Sequence, residues 1–355
     1  GDHPSNMVAT TLGLNAYTLT GEAQYRDWLL EYVDAWCERT AANNGIIPSN
    51  IGLDGTIGGA SDGKWYGGCY GWGFTVVVPQ NGSLSSRNTV PLGVVGFGNA
   101  TLLSGDTKYA KVWGNMLDQI NSNAQEINGQ TQYPSMYGDE GWYQFTQHPY
   151  NRGALEVYYW SMDPADQARL DTTSGWIGFL EGNAPDYPVQ ALSQDFETVR
   201  RKMAMVHQDP TTPDTRLSDN PNPFNPATPD NLVALMMGGI HTHHGGPLHC
   251  RVRYFDPLRQ RAGMPEDVAA LVDGLSATGM SLNLVNTNQT SARDIIIQGG
   301  AYAEHQFDTI TYNGQEITVN DSAFRLTLDP GCGGHLEISM QRYAHQPTFD
   351  FPWDR

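Results

Sequence analysis

Two stretches of this chain overlay without a gap, and that repeat restricts the fold more than any other feature. Residues 15–36 read NAYTLTGEAQYRDWLLEYVDAW and residues 99–120 read NATLLSGDTKYAKVWGNMLDQI. They match at Asn15/Asn99, Ala16/Ala100, Gly21/Gly105, Glu22/Asp106, Tyr25/Tyr109 and Asp34/Asp118. A repeat of this length means one supersecondary unit stacked on its copies. Each unit reads as a helix, a tight turn of hydroxyl residue, glycine and acid, and a second helix. The acid suits the positive end of a helix. Trp28, Leu29, Tyr32, Val33 and Trp36 recur at helical spacing, so one face of the second helix enters a core. A weaker third copy spans 153–181, with Pro164 suited to a helix start. Further helical segments are expected over 189–206 and 231–237.

From about Arg251 the pattern changes. A short helix is expected over 266–275. Alternating or β-branched runs follow at 281–286, 294–298, 304–312, 316–319, 324–328 and 335–341. Turn signals such as Asn313-Gly314 separate them. Asn-Gly between two such runs marks a hairpin, and several short strands so punctuated predict an antiparallel β-sandwich. The expected fold is therefore α+β and multidomain, helical hairpins over 1–250 and a β-sandwich over 251–355.

Long polar connections at 43–89, 121–150 and 207–230 interrupt the hairpins, and loops of that length in a compact domain are usually functional or disordered. The stretch 62–74, DGKWYGGCYGWGF, holds Trp65, Tyr66, Tyr70, Trp72 and Phe74 among five glycines. Glycine lets the backbone crowd a ligand, and the aromatic faces offer a platform for a flat hydroxylated ring. The alternative is a tightly turned aromatic cluster that packs the base of the fold. Lys and Arg number 20 against 38 Asp and Glu, a net charge of −18, which argues against nucleic acid or an anionic membrane as partner. No apolar run is long enough for a membrane span. The chain opens Gly-Asp-His-Pro without Met, the mark of a processed or truncated chain. Cys37, Cys69, Cys250 and Cys332 form no CxxC pair, and sparse buried thiols are expected.

Repeated TGEAQY/SGDTKY hairpins, the aromatic-glycine loop and the strand-rich tail QGGAYAEHQF…LTLDPGCGGHLEI together resemble the (α/α)-toroid plus β-sandwich plan of carbohydrate-active enzymes, polysaccharide lyases and six-hairpin glycosidases among them. About four hairpins are visible where such toroids commonly have six or seven, so N-terminal hairpins of the toroid are expected to be missing or the toroid incomplete. The resemblance implies a cleft lined by 43–89 and 121–150, with Trp65, Tyr66, Tyr70, Trp72 and Trp142 as sugar platforms, and a secreted or periplasmic protein acting on a polysaccharide. The second loop gathers Tyr137, His148, Tyr150, Asn151 and Arg152. By the same resemblance these carry β-elimination at a uronic acid. Asn151 and Arg152 neutralise the carboxylate, His148 serves as base or neutraliser, and Tyr137 or Tyr150 transfers protons.

Competing chemistries remain open. A glycoside hydrolase needs two carboxylates, and Asp54, Asp62, Asp139 and Glu140 are candidates, with Asp2 read instead as part of a helix start. A non-catalytic glycan-binding protein would use the same aromatics. The stretch 238–250 carries His241, His243, His244, His249 and Cys250, ligand types for a divalent metal such as zinc, or else histidines packed at an interdomain hinge. Asp209, Asp214, Asp219 and Asp230 are a candidate calcium set without an EF-hand pattern. Glu304, His305 and Glu337 are expected as cross-strand polar pairs.

Overall fold

The computed structural model describes residues 1–212, 215, 224–240 and 245–355. Helices occupy the N-terminal part and antiparallel sheets the C-terminal part, a mixed α+β fold. Helices α1 (Thr10–Thr20) and α2 (Ala23–Ala42) form the first hairpin, and α3 (Val94–Ser104) and α4 (Lys108–Asn121) the second. The turns are chemically the same. Gly21 and Gly105 sit in the left-handed region (φ 70° and 67°), and their N–H groups donate to Tyr17 O and Thr101 O. The hydroxyls of Thr20 and Ser104 donate back to the carbonyls of Ala16 and Ala100 and accept from the N–H groups of Glu22 and Asp106. In the third unit, α5 (Ala154–Ser161) ends on Met162, left-handed at φ 53°, and Ser161 accepts from Asp163 N before α6 (Pro164–Gln167). Methionine stands where the other units have glycine, which is why this copy reads weakly in sequence.

Ion pairs join successive units at equivalent places. Lys108 and the Tyr109 hydroxyl reach back to Asp34, and Arg169 reaches back to Asp118. Between the faces Trp36, Trp113, Phe97, Leu14 and Tyr109 are buried in one apolar cluster. Short α7 (Gly175–Leu180), long α8 (Tyr187–Gln208) and α9 (Asp230–Met237) complete the helices described. No helix among the described residues is long and apolar enough to cross a membrane.

The long loops are not wholly irregular. They contain three two-stranded ribbons: β1 (Thr75–Val77) with β2 (Leu84–Ser86), β3 (Gln125–Ile127) with β4 (Gln130–Gln132), and β5 (Met136–Gly138) with β6 (Gly141–Tyr143).

The C-terminal strands are β7 (Val252–Asp256), β8 (Arg261–Ala262), β9 (Val268–Leu275), β10 (Gly279–Asn286), β11 (Arg293–Gly299), β12 (Gln306–Tyr312), β13 (Gln315–Asp321), β14 (Ala323–Leu328) and β15 (Gly333–Gln341). They form a five-stranded sheet, β13-β12-β15-β10-β9, and a four-stranded one, β14-β11-β7-β8. Val252, Ile295 and Ile297 of one sheet share a buried cluster with Leu282, Phe307 and Leu336 of the other. The helix expected over 266–275 is strand β9. Its apolar residues pair along β10, from Val268 opposite Asn286 to Leu275 opposite Met280, and that ladder overrides local helix propensity.

Helices and sheets meet over a buried polar junction. Arg342 donates to the carbonyls of Tyr159, Trp160 and Ser161, capping the C-terminus of α5 with a cation. Arg251, fully buried, lies over the Tyr159 ring at 4.7 Å. Glu304 and His305, expected on a strand surface, are buried here: Glu304 accepts from Tyr302 N, and His305 Nδ1 accepts from Tyr343 N. Burial pushes the Glu304 carboxyl up to about 7, against the backbone N–H groups and Arg251 that favour its ionised form. It holds the buried His249 imidazole down at about 4. The signs differ. Glu304 ionises more readily unfolded, near 4.5, than folded, near 7, so its contribution to stability falls as pH rises through that window. Wild type is therefore expected to lose about 3 kcal/mol relative to Glu304→Gln between pH 4.5 and 8. Urea unfolding at several pH values reads the difference, in which His249 cancels.

Candidate active site

The loop 62–74 is wound on two buried polar residues. Asn50 donates to the carbonyls of Lys64 and Gly67, and Ser49 accepts from Trp72 N while its own N–H reaches Trp65 O. Gly71 is required by this closeness, since a Cβ there would stand 2.6 Å from Ser49 Oγ. Trp72 thereby turns inward. It is 0% exposed, and its indole N–H donates to Ile47 O, so it is core rather than a surface platform. Behind it the rings run on continuously. Tyr150 lies 5.9 Å from Trp72, Trp72 6.1 Å from Trp142, Trp142 5.0 Å from Tyr137, and Tyr137 4.7 Å from Trp65 and 5.1 Å from Tyr66. Trp65, Tyr66 and Trp142 are half-buried, and Tyr70 is exposed against Phe74.

A cleft of about 350 Å³ opens beside this stack, between residues 86–91, 134–136 and 144–152. His148, Tyr150, Asn151 and Arg152 line it, with Ser86, Asn88, Ser135, Gln144 and Thr146. No Asp or Glu is among the lining residues. His148, Asn151 and Arg152 are exposed, and among the described residues their side chains are bonded to no protein group. The backbone that carries them is fixed from α4. Asn121 donates to Tyr150 O and accepts from Tyr150 N, and the Trp113 indole donates to Arg152 O. Gly153 (φ 86°) is the residue that permits this approach; a Cβ there would lie 2.4 Å from Trp113 Nε1.

The two tyrosines expected as proton carriers are placed otherwise. Tyr137 lies in the ring stack and does not line the cleft. Among the described residues the buried Tyr150 hydroxyl has no hydrogen-bond partner, and burial raises its pKa well above the ordinary tyrosine value despite the field of Arg152. His148 presents its imidazole at the cleft surface. The carboxylates of the competing chemistry lie elsewhere. Asp139 takes hydrogen bonds from Lys64 (2.7 Å) and the Tyr66 hydroxyl (2.6 Å), which hold it below the usual carboxylate range. Asp54 is tied to the Thr56 N–H, while Asp62 and Glu140 are exposed loop residues outside the cleft. Asp2 accepts from Tyr32, Asn6 and Arg39 beside a 3-10 helix over Pro4–Ala9.

The metal candidates find little support. His241 and His243 lie outside the described residues, as do His244, Asp214 and Asp219. His249 is buried against Trp160, with ring centroids 5.8 Å apart. Asp209 is engaged by Thr211. Among the described residues no group of three His, Cys, Asp or Glu is arranged to hold a metal ion. All four cysteines are free; Cys69 and Cys332 are exposed, against the expectation of burial. Larger concavities of about 460 and 770 Å³ lie along the sheets. The arginines lining the latter are paired with acids, Arg259 with Glu266, Arg293 with Asp267 and Arg325 with Asp294.

Asn121→Ala is expected to cost about 1–3 kcal/mol, since two backbone groups of Tyr150 lose their partners. Hydrogen–deuterium exchange should then speed up at residues 148–152 while the α1–α2 hairpin stays protected; uniform loosening would refute a local clamp.

Residues 1–175 match the model of a family described as a domain of unknown function (DUF8034). The match covers the first two hairpin units, most of the third, both aromatic loops and every residue of the cleft. No curated protein and no solved structure matches the chain.

Proposed function

We propose that the chain is a carbohydrate-active enzyme, a polysaccharide lyase that cleaves a uronate-containing glycan by β-elimination. In this reading the stacked hairpins are part of an (α/α) toroid and the two sheets a β-sandwich. The observation that carries it is the cleft without carboxylates, which presents uncommitted His148, Asn151 and Arg152 on a chain of net charge −18. Such a recess is where this acidic chain can receive an anionic group. Two catalytic acids, the requirement for hydrolysis, are not found there.

Arg152 and Asn151 would hold the uronate carboxylate, which stabilises the charge that develops when the C5 proton leaves. His148 would take that proton. The C5–H electron pair then forms the C4–C5 double bond, the C4–O bond breaks with its electron pair going to the departing oxygen, and that oxygen takes a proton from solvent water. Trp65, Tyr66 and Trp142 would support neighbouring sugar rings by stacking. A glycan substrate goes with a secreted or periplasmic location. A second reading, glycan binding without cleavage, is favoured by one observation: the Tyr150 hydroxyl is buried and Tyr137 stands outside the cleft, so no second proton carrier flanks His148.

Ultraviolet absorbance during incubation with a panel of uronate polysaccharides tests the proposal. An unsaturated uronate product is expected, with kcat/KM falling at least about 100-fold in Arg152→Ala and the product absent in His148→Ala. New reducing ends without that absorbance would establish hydrolysis instead. Saturable binding with neither signal would establish the binding reading.

A further inference from the structure

Helix α8 carries a stripe of apolar residues at heptad spacing, four of the six left exposed by the rest of the described chain. Val189, Leu192, Phe196, Val199, Met203 and Val206 follow one another at alternating spacings of three and four residues, the a and d positions of a heptad repeat. Isolated surface hydrophobics are ordinary, but six in coiled-coil register along one helix are a seam for another helix. Val189 is 71% exposed, Phe196 64%, Met203 50% and Val206 52%; Leu192 and Val199 are half-buried, Leu192 against the helical core, and Ala191 is the one fully buried residue of this helix of about 33 Å, so the outer edge of the stripe stands open.

The charge pattern selects the occupant. Asp186, Asp195 and Glu197 lie in the first half of the helix, and Arg200, Arg201, Lys202 and His207 in the second. A two-fold axis passing between residues 197 and 198 sets two copies antiparallel. Val189 then faces Val206 of the second copy, Leu192 faces Met203, and Phe196 faces Val199, each an a position against a d position. The same operation sets Asp195 opposite Arg200 of the second copy and brings the acidic half of each helix onto the basic half of the other, with Asp186 opposite Asp209 at the helix ends, whereas parallel pairing would set like charge on like along the whole helix. A surface that is complementary to itself under a two-fold rotation is what an isologous dimer needs. We infer that the protein forms a homodimer through antiparallel pairing of α8 with α8 of a second copy.

Sedimentation equilibrium of the whole chain tests this. A monomer–dimer equilibrium with a midpoint below about 100 µM is expected, in keeping with a small interface. Phe196→Glu with Met203→Glu should raise that midpoint at least tenfold with unchanged circular dichroism and Tm, because both side chains are exposed in the single chain. Asp186→Lys with Glu197→Lys, and separately Arg200→Glu with Arg201→Glu, should each weaken self-association, and mixing the two variants should restore a dimer. Wild type that stays monomeric up to about 1 mM, or a dimer indifferent to Phe196→Glu with Met203→Glu, would overturn the inference.

Discussion

Two side chains of α4 decide where the candidate site can be. Asn121 holds Tyr150 by both its N–H and its carbonyl, as a neighbouring strand would, and Trp113 holds the carbonyl of Arg152. The segment carrying His148, Asn151 and Arg152 has no regular structure of its own, so its backbone groups need partners from elsewhere. By supplying them from a helix whose Trp113, Leu117 and Ile120 are buried in the core, the fold gives a loop the rigidity of the hairpin beneath it. The exposed side chains are then free to meet a ligand without also holding the loop in place. A site built on a supported backbone needs less ordering when a ligand binds.

The hairpin array was legible in the sequence because its turn chemistry is local. A hydroxyl that serves its own helix and the next N–H, a left-handed residue, and an acid at the following helix start are all readable within three residues. The third unit keeps the hydroxyl and the acid but places Met162 at the left-handed position, so only half of the signal survives. Strand β9 was misread for the opposite reason. Nothing within Val-Ala-Ala-Leu-Val distinguishes a helix from a strand; pairing with the next strand, β10, does, and that ladder lies outside the run itself. The polar junction was illegible too. Glu304 and His305 look like surface residues of a strand until the fold places Arg251, Arg342 and the end of α5 around them, and burial then alters their protonation.

In the candidate site, contiguity was legible and direction was not. His148, Tyr150, Asn151 and Arg152 are near neighbours in the chain and line one cleft. Which aromatic faces outward depends on Ser49 and Asn50, two buried residues in the turn before the glycine-rich stretch, and on the crowding at Gly71. Their hydrogen bonds turn Trp72 inward, a consequence that composition cannot convey. Tyr137 enters the stack because it lies opposite Trp142 across the β5–β6 ribbon. Hence the aromatic-glycine loop packs at its centre and leaves accessible rings at its margin.

Charge bears on the chemistries that the residues left open. A chain with 38 acids and 20 bases repels anions on average, and at physiological ionic strength such repulsion between exposed charges fades within about 8 Å. What a ligand meets in the cleft is therefore set by the nearest groups. Those are an arginine, a histidine and several amides and hydroxyls, with Asp139 drawn off to Lys64 and Tyr66 outside it. The ion pair at Asp139 matters for this reason as well as for tying the two loops together: it holds that carboxylate on Lys64 and Tyr66, outside the cleft. Neutralising an incoming carboxylate requires a cation with no acidic neighbour already bound to it, and Arg152 is such a cation among the described residues. That local arrangement, rather than the overall charge, supports reading the cleft as a receptor for an acidic sugar.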